Sequence, residues 1–279
     1  MVNSGASADR PYIHGHHASV LKSHTTRTAA NSCAYLLPYI KPTDRILDIG
    51  CGPGSITLDL AQYVPNGSIT GIDIESARTA LEDAQKRAKD EGKHNVTFQV
   101  GDISKLDFAE GSFDIVHVHQ VIQHVPDPVG ALREMRRVCK VGGLVAARET
   151  AEMMWYPELP GMEEMFTLYK KVAAWTGGTP GAGKQLRPLV KKAEFKPEDI
   201  VMHDASSWCY NTPDTIATWS HMWADRIAGS SFKTNALNSG FATQADLDRL
   251  REMWLGFAKE DDAWFTLLHG DIILKKNEA

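Results

Sequence analysis

Three acidic residues each follow a short apolar stretch of the chain, where a carboxylate could bind part of a ligand. Asp48 follows the apolar residues 46–47, Asp73 ends the stretch 68–73, and Asp102 comes shortly after another apolar stretch. Carboxylates accept hydrogen bonds from ammonium, hydroxyl and amino groups. If the stretches are parallel strands, their carboxyl ends meet at one edge of a sheet. We therefore expect the three acids to face one crevice.

A glycine turn, Gly50-x-Gly52-x-Gly54, lies between the first of these acids and a helix that begins at Ser55. Glycine adopts left-handed backbone angles without strain, and because it has no Cβ a ligand can lie against the main chain. The start of the helix adds free N–H groups at the same place. The turn predicts a nucleotide-like ligand, with a spacing different from the G-x-G-x-x-G of dinucleotide-binding folds.

The three acids match different parts of S-adenosylmethionine. Asp48 can accept from the ammonium of its amino-acid end, for which a pyrophosphate offers no equivalent. Asp73 can accept hydrogen bonds from both ribose hydroxyls. The neighbouring Ile74 is predicted to contact the cofactor as well. Asp102 can accept from the adenine amino group while Ile103 packs on the ring. Since Asp73 would suit a nicotinamide dinucleotide equally well, only the set of three favours S-adenosylmethionine.

Two histidines, His119 and His124, follow the fourth predicted strand, near the expected position of a methyl acceptor. A neutral imidazole can take a proton from a hydroxyl, amine or thiol. His124 is the first candidate for a general base and His119 is the second. The alternative is that both only pack, because many methyl transfers require only alignment and a dry pocket.

The elements that position these residues alternate between strand and helix patterns. Strands are predicted at 45–47, 68–73, 96–100, 113–118, 144–147, 199–209 and 263–275. The alternation predicts an α/β fold with a doubly wound, mostly parallel sheet. A leading helix over 25–40 is expected to cover its edge.

One domain is predicted over 12–279, preceded by a flexible N-terminus at 1–11. The segments 150–197 and 211–262 interrupt the regular alternation. Connections that leave the carboxyl ends of parallel strands lie over the ligand crevice. Both segments are therefore candidate substrate lids.

Composition favours a small molecule as the partner. The 279-residue chain has a net charge of -5, so it has no general attraction for nucleic acid or an anionic membrane. It also lacks the Asn/Asp-Pro-Pro-aromatic motif of base-amine methyltransferases after the fourth predicted strand. No C-x-x-C pair and no long apolar segment occur, which predicts reduced thiols and a cytoplasmic location. A homodimer is left open.

Three histidines near the start, His14, His16 and His17, are of a residue type that binds transition metals. No carboxylate or thiol accompanies them at a spacing typical of metal sites. We therefore predict no metal.

Taken together, the motifs resemble those of the class I S-adenosylmethionine-dependent methyltransferases, in particular the UbiE-like group, which methylates quinones and other small molecules. The resemblance runs from about 12 to 276 and weakens after 149. It is carried by 48–54, 71–73, 101–103, 113–116, 124–128, 131–134 and 141–143. It implies the strand order 3-2-1-4-5-7-6 with the last strand antiparallel, and S-adenosylmethionine as the methyl donor.

The resemblance also implies roles for single residues. The glycine turn would hold the methionine part of the donor, and Gln120 would lie beside the sulfonium. The segment before the first helix would fold over the cofactor, so that Tyr12, His17 and Arg27 contact it. Arg27 would pair with the methionine carboxylate.

The predicted function is methyl transfer by in-line displacement to an O, N, S or C atom of a small organic acceptor. One alternative is a non-catalytic regulator or scaffold that binds S-adenosylmethionine. A second is a nicotinamide-dependent oxidoreductase, which would have no use for Asp48 or Asp102.

Overall fold

A seven-stranded sheet organises the protein, whose computed structural model describes residues 26–278. Its strands, in chain order, are β1 Arg45–Ile49, β2 Ser68–Asp73, β3 Val96–Val100, β4 Phe113–His119, β5 Cys139–Tyr156, β6 Ile200–Tyr210 and β7 Trp264–Lys275. The spatial order is β3-β2-β1-β4-β5-β7-β6. Strands β1 to β5 pair in parallel, whereas β7 runs antiparallel to both β5 and β6. The predicted fold class and strand order are confirmed.

Helices cover both faces of the sheet and its far end. They are α1 Ala29–Ser32, α2 Ser55–Leu60, α3 Arg78–Asp90, α4 Pro128–Val138, α5 Met162–Trp175, α6 Leu186–Lys192, α7 Pro213–Gly229, α8 Ser231–Asn238 and α9 Gln244–Phe257. Several begin at side-chain caps that the sequence indicates. The Asp127 carboxylate accepts from the N–H of Gly130 at the start of α4, and Thr243 forms a capping box with Asp246 at α9.

The leading helix is much shorter than predicted. Instead of a helix over 25–40, the chain forms the single turn α1 and then the 3₁₀ turn Leu37–Tyr39. Pro38 lacks a backbone N–H and cannot donate the helical hydrogen bond to residue 34, so a regular helix over 25–40 is disfavoured. The apolar spacing was nevertheless informative, because Cys33 and Leu36 are fully buried.

Strand β5 is longer than the predicted 144–147. It runs to Tyr156 because it pairs with β7 from Leu144↔Lys275 to Tyr156↔Trp264. Ala151 and Glu152, where the predicted strand pattern is interrupted, have weak strand propensity, so the pairing with β7 carries the strand through them. The first seven residues of the predicted lid segment 150–197 thus belong to the sheet.

The sheet buries apolar side chains on both faces, and the inserted helices form a third cluster. One face packs against α1 and α2, and the other packs against α4 and α6. The third cluster joins α5, α7, α8 and α9, which we call the cap helices. Its centre is a set of packed aromatic rings that includes Phe166, Trp223 and Trp254, and it rests on Phe265 of β7. The cap helices therefore stand on the far ends of the two longest strands.

Candidate functional site

The glycine turn follows β1 in the conformation that its sequence predicts. The φ angles of Gly50, Gly52 and Gly54 are 68°, 53° and 73°, all in the left-handed region that favours glycine. A Cβ at Gly50 would overlap the Val121 side chain, and one at Gly54 would lie 2.6 Å from the ring of Phe98. Both the backbone angles and the surrounding space therefore require glycine at these two positions.

Asp73 holds the glycine turn from the end of the neighbouring strand. One of its carboxylate oxygens accepts from the N–H of Gly52 at 2.8 Å, and the other accepts from the N–H of Ile74 at 2.8 Å. Asp73 is half-buried, and Ile74 beside it is exposed. The carboxylate and the turn are thus fixed relative to each other, and an apolar surface lies next to them.

Asp102 and Ile103 follow β3 at the same edge. Asp102 is exposed and accepts from the N–H of Ser104 at 2.8 Å. Ile103 is only 5% exposed, because it packs into the cluster on one face of the sheet. Asp102 can reach a ligand, whereas little of the Ile103 side chain faces outward. The adenine contacts of this pair stay a prediction.

Asp48 is buried, and its carboxylate is engaged by other residues of the chain. It accepts from the Thr57 hydroxyl at 2.6 Å and lies 2.8 Å from Nδ1 of His117. Burial alone lowers the pKa of His117, but the electrostatic effect of Cys33 and the hydrogen bond to Asp48 raise it to about 10. Carboxylate oxygens can accept more than one hydrogen bond, so the contact with an ammonium stays a prediction. Sequence reasoning missed the Asp48–His117 pair.

Gln120 lies just beyond β4 and joins side chains from distant parts of the chain. Its φ of 56° is unusual for a residue with a side chain. Its Oε1 accepts from Arg27 at 2.8 Å, and its Nε2 lies 2.8 Å from Nε2 of His269 on β7. The predicted site residues Gln120 and Arg27 are therefore brought together, and His269 was not predicted.

Arg148 of β5 completes this group from the other side. It donates to the Asn31 carbonyl at 2.6 Å, and one of its terminal nitrogens lies 3.1 Å from Nδ1 of His269. The guanidinium groups of Arg148 and Arg27 lie 5.1 and 5.3 Å from the ring centre of Trp208, within the range of cation–π attraction. Burial, Arg148 and Arg27 together lower the pKa of His269 to about 2, although the Ser206 main chain opposes the shift. His269 is thus neutral between two positive charges.

His119 is buried beside the same Trp208 ring, with ring centres 5.3 Å apart. Neither of its ring nitrogens has a hydrogen-bond partner among the described residues. Burial, followed by the charges of Arg27 and Arg148, lowers its pKa well below the usual value. His119 is therefore neutral, with one donor and one acceptor that residues 26–278 leave unused.

A two-residue alternation could have indicated this polar group. Ile115 is buried on one face of the sheet, and His117 and His119 continue the same face toward the end of β4. Strand β7 runs in the opposite direction, so on the same face Ile273 lies in the middle of the sheet and Asp271 and then His269 lie nearer the same edge. One face of the sheet is thus apolar in its middle and polar at its ligand-facing end, although which strands are neighbours is fixed only by the fold.

His124 lies apart from this group, in a cleft beneath the cap helix α5. Phe166, Tyr169 and Met153 are among the residues that line the cleft, which encloses about 450 Å³ including its open part. Burial, followed by the charges of Arg27 and Arg226, lowers the pKa of His124 to about 3. A group with so low a pKa is a weak general base, so its predicted role as a base is disfavoured in this state. It can still accept a hydrogen bond.

Glu149 at the end of the parallel part of β5 organises the turn between Gln120 and His124. Its fully buried carboxylate accepts from the N–H groups of Val121, Ile122 and Gln123 at 2.9, 2.8 and 3.2 Å. Burial raises the pKa of Glu149 to about 7, against these three hydrogen bonds, which lower it. Sequence reasoning missed this residue.

Some predicted residues lie outside the described part of the chain: Tyr12 and His17, with His14 and His16 of the rejected metal hypothesis. Within residues 26–278, no group of three or more histidine, cysteine, aspartate or glutamate residues is arranged to hold a metal ion. Over the same residues, no helix has the length and apolar character needed to cross a membrane.

Comparisons with known proteins agree with this arrangement. Residues 40–197 match the model of a family described as a methyltransferase domain. An uncharacterized methyltransferase of Schizosaccharomyces pombe is 34% identical over 274 residues, covering 96% of this chain and 97% of its own. The demethylmenaquinone methyltransferase of Lactococcus lactis is 36% identical over 156 residues, 55% of this chain and 60% of its own. A crystal structure from Bacillus halodurans, provisionally described as a methyltransferase, superposes with a TM-score of 0.60 at 16% identity, over 88% of this chain and 98% of that one.

Proposed function

This chain belongs to the class I S-adenosylmethionine-dependent methyltransferases, and we propose that its glycine turn and strand-end acids bind S-adenosylmethionine for methyl transfer to a small organic acceptor. The observation that carries the proposal is the bond from the Gly52 N–H to Asp73. It fixes a left-handed glycine turn against a half-buried carboxylate, so both are in place before a ligand arrives. A preformed site loses little entropy on binding.

The residues at this edge fit the parts of the donor. Asp73 would bind the ribose hydroxyls, with Ile74 beside it, and Asp102 with Ile103 would bind the adenine. The backbone of the glycine turn, with Asp48 beneath it, would hold the methionine part. The exposure of Asp102 and the half-buried position of Asp73 support this assignment. Gln120, whose Oε1 accepts from Arg27 at 2.8 Å, would lie beside the sulfonium.

When bound, S-adenosylmethionine supplies a methyl group on a positively charged sulfur. The chain contributes alignment and exclusion of water. We propose that His124 and His119 assist as neutral hydrogen-bonding groups, since burial lowers the pKa of each.

The segments 150–197 and 211–262 would enclose the acceptor. Helix α5 of the first segment and helices α7, α8 and α9 of the second pack into one aromatic cluster, and α5 covers the cleft at His124. The cleft is lined mainly by apolar and aromatic groups, typical of a site for a small organic molecule. The net charge of -5 supports a small molecule rather than nucleic acid, and a cytoplasmic location is proposed with it.

The test is binding followed by turnover. Calorimetry should show that the protein binds S-adenosylhomocysteine, and a panel of phenols, amines, thiols and carboxylic acids should include a compound that releases S-adenosylhomocysteine from S-adenosylmethionine. NADH, titrated by fluorescence, should not bind. Binding without turnover on any class of acceptor would favour the non-catalytic regulator, and failure to bind S-adenosylhomocysteine would contradict the proposal as a whole.

A further inference from the structure

A row of four polar side chains has fewer hydrogen-bond acceptors than its contacts require. The row consists of Arg27, Gln120, His269 and Arg148. The four side chains form a row with three successive contacts of 2.8, 2.8 and 3.1 Å. The two guanidinium groups at its ends are donors only. The amide of Gln120 provides one acceptor, and a neutral imidazole at His269 provides one more. Three contacts therefore share two acceptors, and one contact must place a donor against a donor.

This shortage does not depend on how the hydrogen atoms are assigned. Exchanging the oxygen and nitrogen of the Gln120 amide moves the mismatch from one end of the amide to the other. Exchanging the two neutral forms of the His269 ring moves it from Gln120 to Arg148. Protonating His269 removes a further acceptor. Every assignment leaves the row at least one acceptor short.

His119 adds a second, independent observation at the same place. It is 5% exposed, and both its ring nitrogens are without a hydrogen-bond partner among the described residues. Its ring centre lies 5.3 Å from that of Trp208 and 6.3 Å from that of His269. An unpaired polar group at this degree of burial is costly unless a ligand or water satisfies it.

The local charge indicates which ligand atom would be accepted. Two guanidinium groups lie over the Trp208 ring, and the carboxylate of Asp271 is 3.5 Å from Arg148. The left-handed φ of Gln120 holds its amide in this position at some cost in backbone energy, as is common at ligand sites. The site therefore has an excess of hydrogen-bond donors and of positive charge, and it lies beside the Trp208 ring. These properties suit an oxygen anion on an unsaturated or aromatic molecule.

We propose that His119, Gln120 and His269, set between the guanidinium groups of Arg27 and Arg148, bind an anionic oxygen of the methyl acceptor, such as a phenolate, an enolate or a carboxylate. The assignment rests on the proposed function, because it takes the bound molecule to be the substrate of the same site. The other source of the same chemistry is the carboxylate of the cofactor's methionine part, and the experiment separates the two.

Gln120→Glu is the decisive variant, because a carboxylate accepts through both oxygens. It can accept from Arg27 and from an N–H of His269, while the other nitrogen of His269 accepts from Arg148. All three contacts are then matched without a ligand. We expect the unliganded variant to melt about 2–4 °C above wild type. Gln99→Glu, on the exposed side of β3, places the same charge where no such row exists and is the control.

The binding experiment uses matched pairs of an anion and a neutral analogue: 4-nitrophenolate with 4-nitroanisole, and benzoate with benzamide. Each is titrated by calorimetry into protein saturated with S-adenosylhomocysteine. We expect wild type and Gln99→Glu to prefer the anion of at least one pair by about tenfold or more, the strength of one charged hydrogen bond. Gln120→Glu should lose that preference.

Three results would overturn the proposal. The first is a wild-type protein that prefers neither anion. The second is a Gln120→Glu variant that melts at or below the wild-type temperature while Gln99→Glu is unchanged. The third is a large loss of S-adenosylhomocysteine affinity in Gln120→Glu with unchanged affinity for 5′-methylthioadenosine, which lacks the carboxylate; this would assign the anion to the cofactor. If wild type bound no S-adenosylhomocysteine, the proposed function would fail, whereas the melting comparison would still test the acceptor shortage.

Discussion

The two halves of the sheet's ligand-facing edge are built by different means. At β1, β2 and β3, the architecture of the edge depends on main-chain conformation, with left-handed glycines at 50–54 and carboxylates bound to backbone N–H groups. At β4, β5 and β7 it depends on buried side chains, namely His119, Arg148 and His269. The first half is drawn from residues 48–103, and the second spans residues 27–269. The first half, the proposed donor half, is therefore local in sequence and constrained by backbone sterics, whereas the second, the proposed acceptor half, can change its polarity by single substitutions.

The largest effect is expected from Gly50→Ala, which breaks the donor half. The substitution places a side chain at a φ of 68° and against Val121, so we expect a loss of about 2–4 kcal/mol in the free energy of unfolding and no binding of S-adenosylhomocysteine. Gly92→Ala is the matched control, because its φ is 67° and nothing lies within 4 Å of an added Cβ. It should lose only about 1 kcal/mol. Equal losses in urea denaturation would show that the Val121 contact is unimportant.

Asp73→Ala is the next largest change in the donor half. It removes the proposed ribose contacts and the bond that holds Gly52. We expect about a hundredfold weaker binding of S-adenosylhomocysteine by calorimetry, with the fold intact by circular dichroism. Asp107→Ala, at an exposed position, should bind as wild type does. Unchanged affinity in Asp73→Ala would remove Asp73 from the site.

His117→Gln sharpens the comparison where the two halves meet, at the buried bond to Asp48. The pKa of His117 is raised to about 10 in the folded protein. Its contribution to stability is therefore fully present below the unfolded value near 6.5 and is lost as the pH rises through 10. Between pH 7 and 10 we expect the wild-type free energy of unfolding to fall by up to about 1.4 kcal/mol per pH unit and the variant curve to be flatter.

The control for His117 is His94→Gln, an exposed substitution that should keep the wild-type slope. Glu149 does not interfere with the measurement. Because its pKa is raised to about 7 in the folded protein, its contribution to the free energy of unfolding is lost as the pH rises from 4.5 to 7, which is below the chosen window. Parallel curves for wild type and His117→Gln would contradict the assignment.

His124→Ala should have the smallest effect, and it should act on turnover rather than on the donor. Because burial lowers the pKa of His124 to about 3, we expect the loss of one hydrogen bond, about threefold to tenfold in kcat, with unchanged affinity for S-adenosylhomocysteine. His124→Gln should restore part of the rate. A loss above about a hundredfold would instead indicate a general base, and unaltered kinetics would remove His124 from the mechanism.

The sequence by itself determined the proposed donor half and the strands that carry it. The spacing of Gly50, Gly52 and Gly54 requires left-handed angles that few other residues adopt, and Asp73 and Asp102 follow strands whose bounds were predicted without error. These signals can be read from the sequence because each depends only on residues a few positions away. Family resemblance supplied what spacing alone did not, the order 3-2-1-4-5-7-6.

Only the tertiary structure decided the acceptor half. Arg27, Gln120, Arg148 and His269 carry no common spacing, and their contacts exist because β4, β5 and β7 are neighbours in the sheet. The length of β5 was likewise set by a partner far along the chain, because its second half pairs with β7. The physical reason is the same in each case: burial and side-chain pairing depend on which distant segments meet, whereas backbone angles depend on the residue itself.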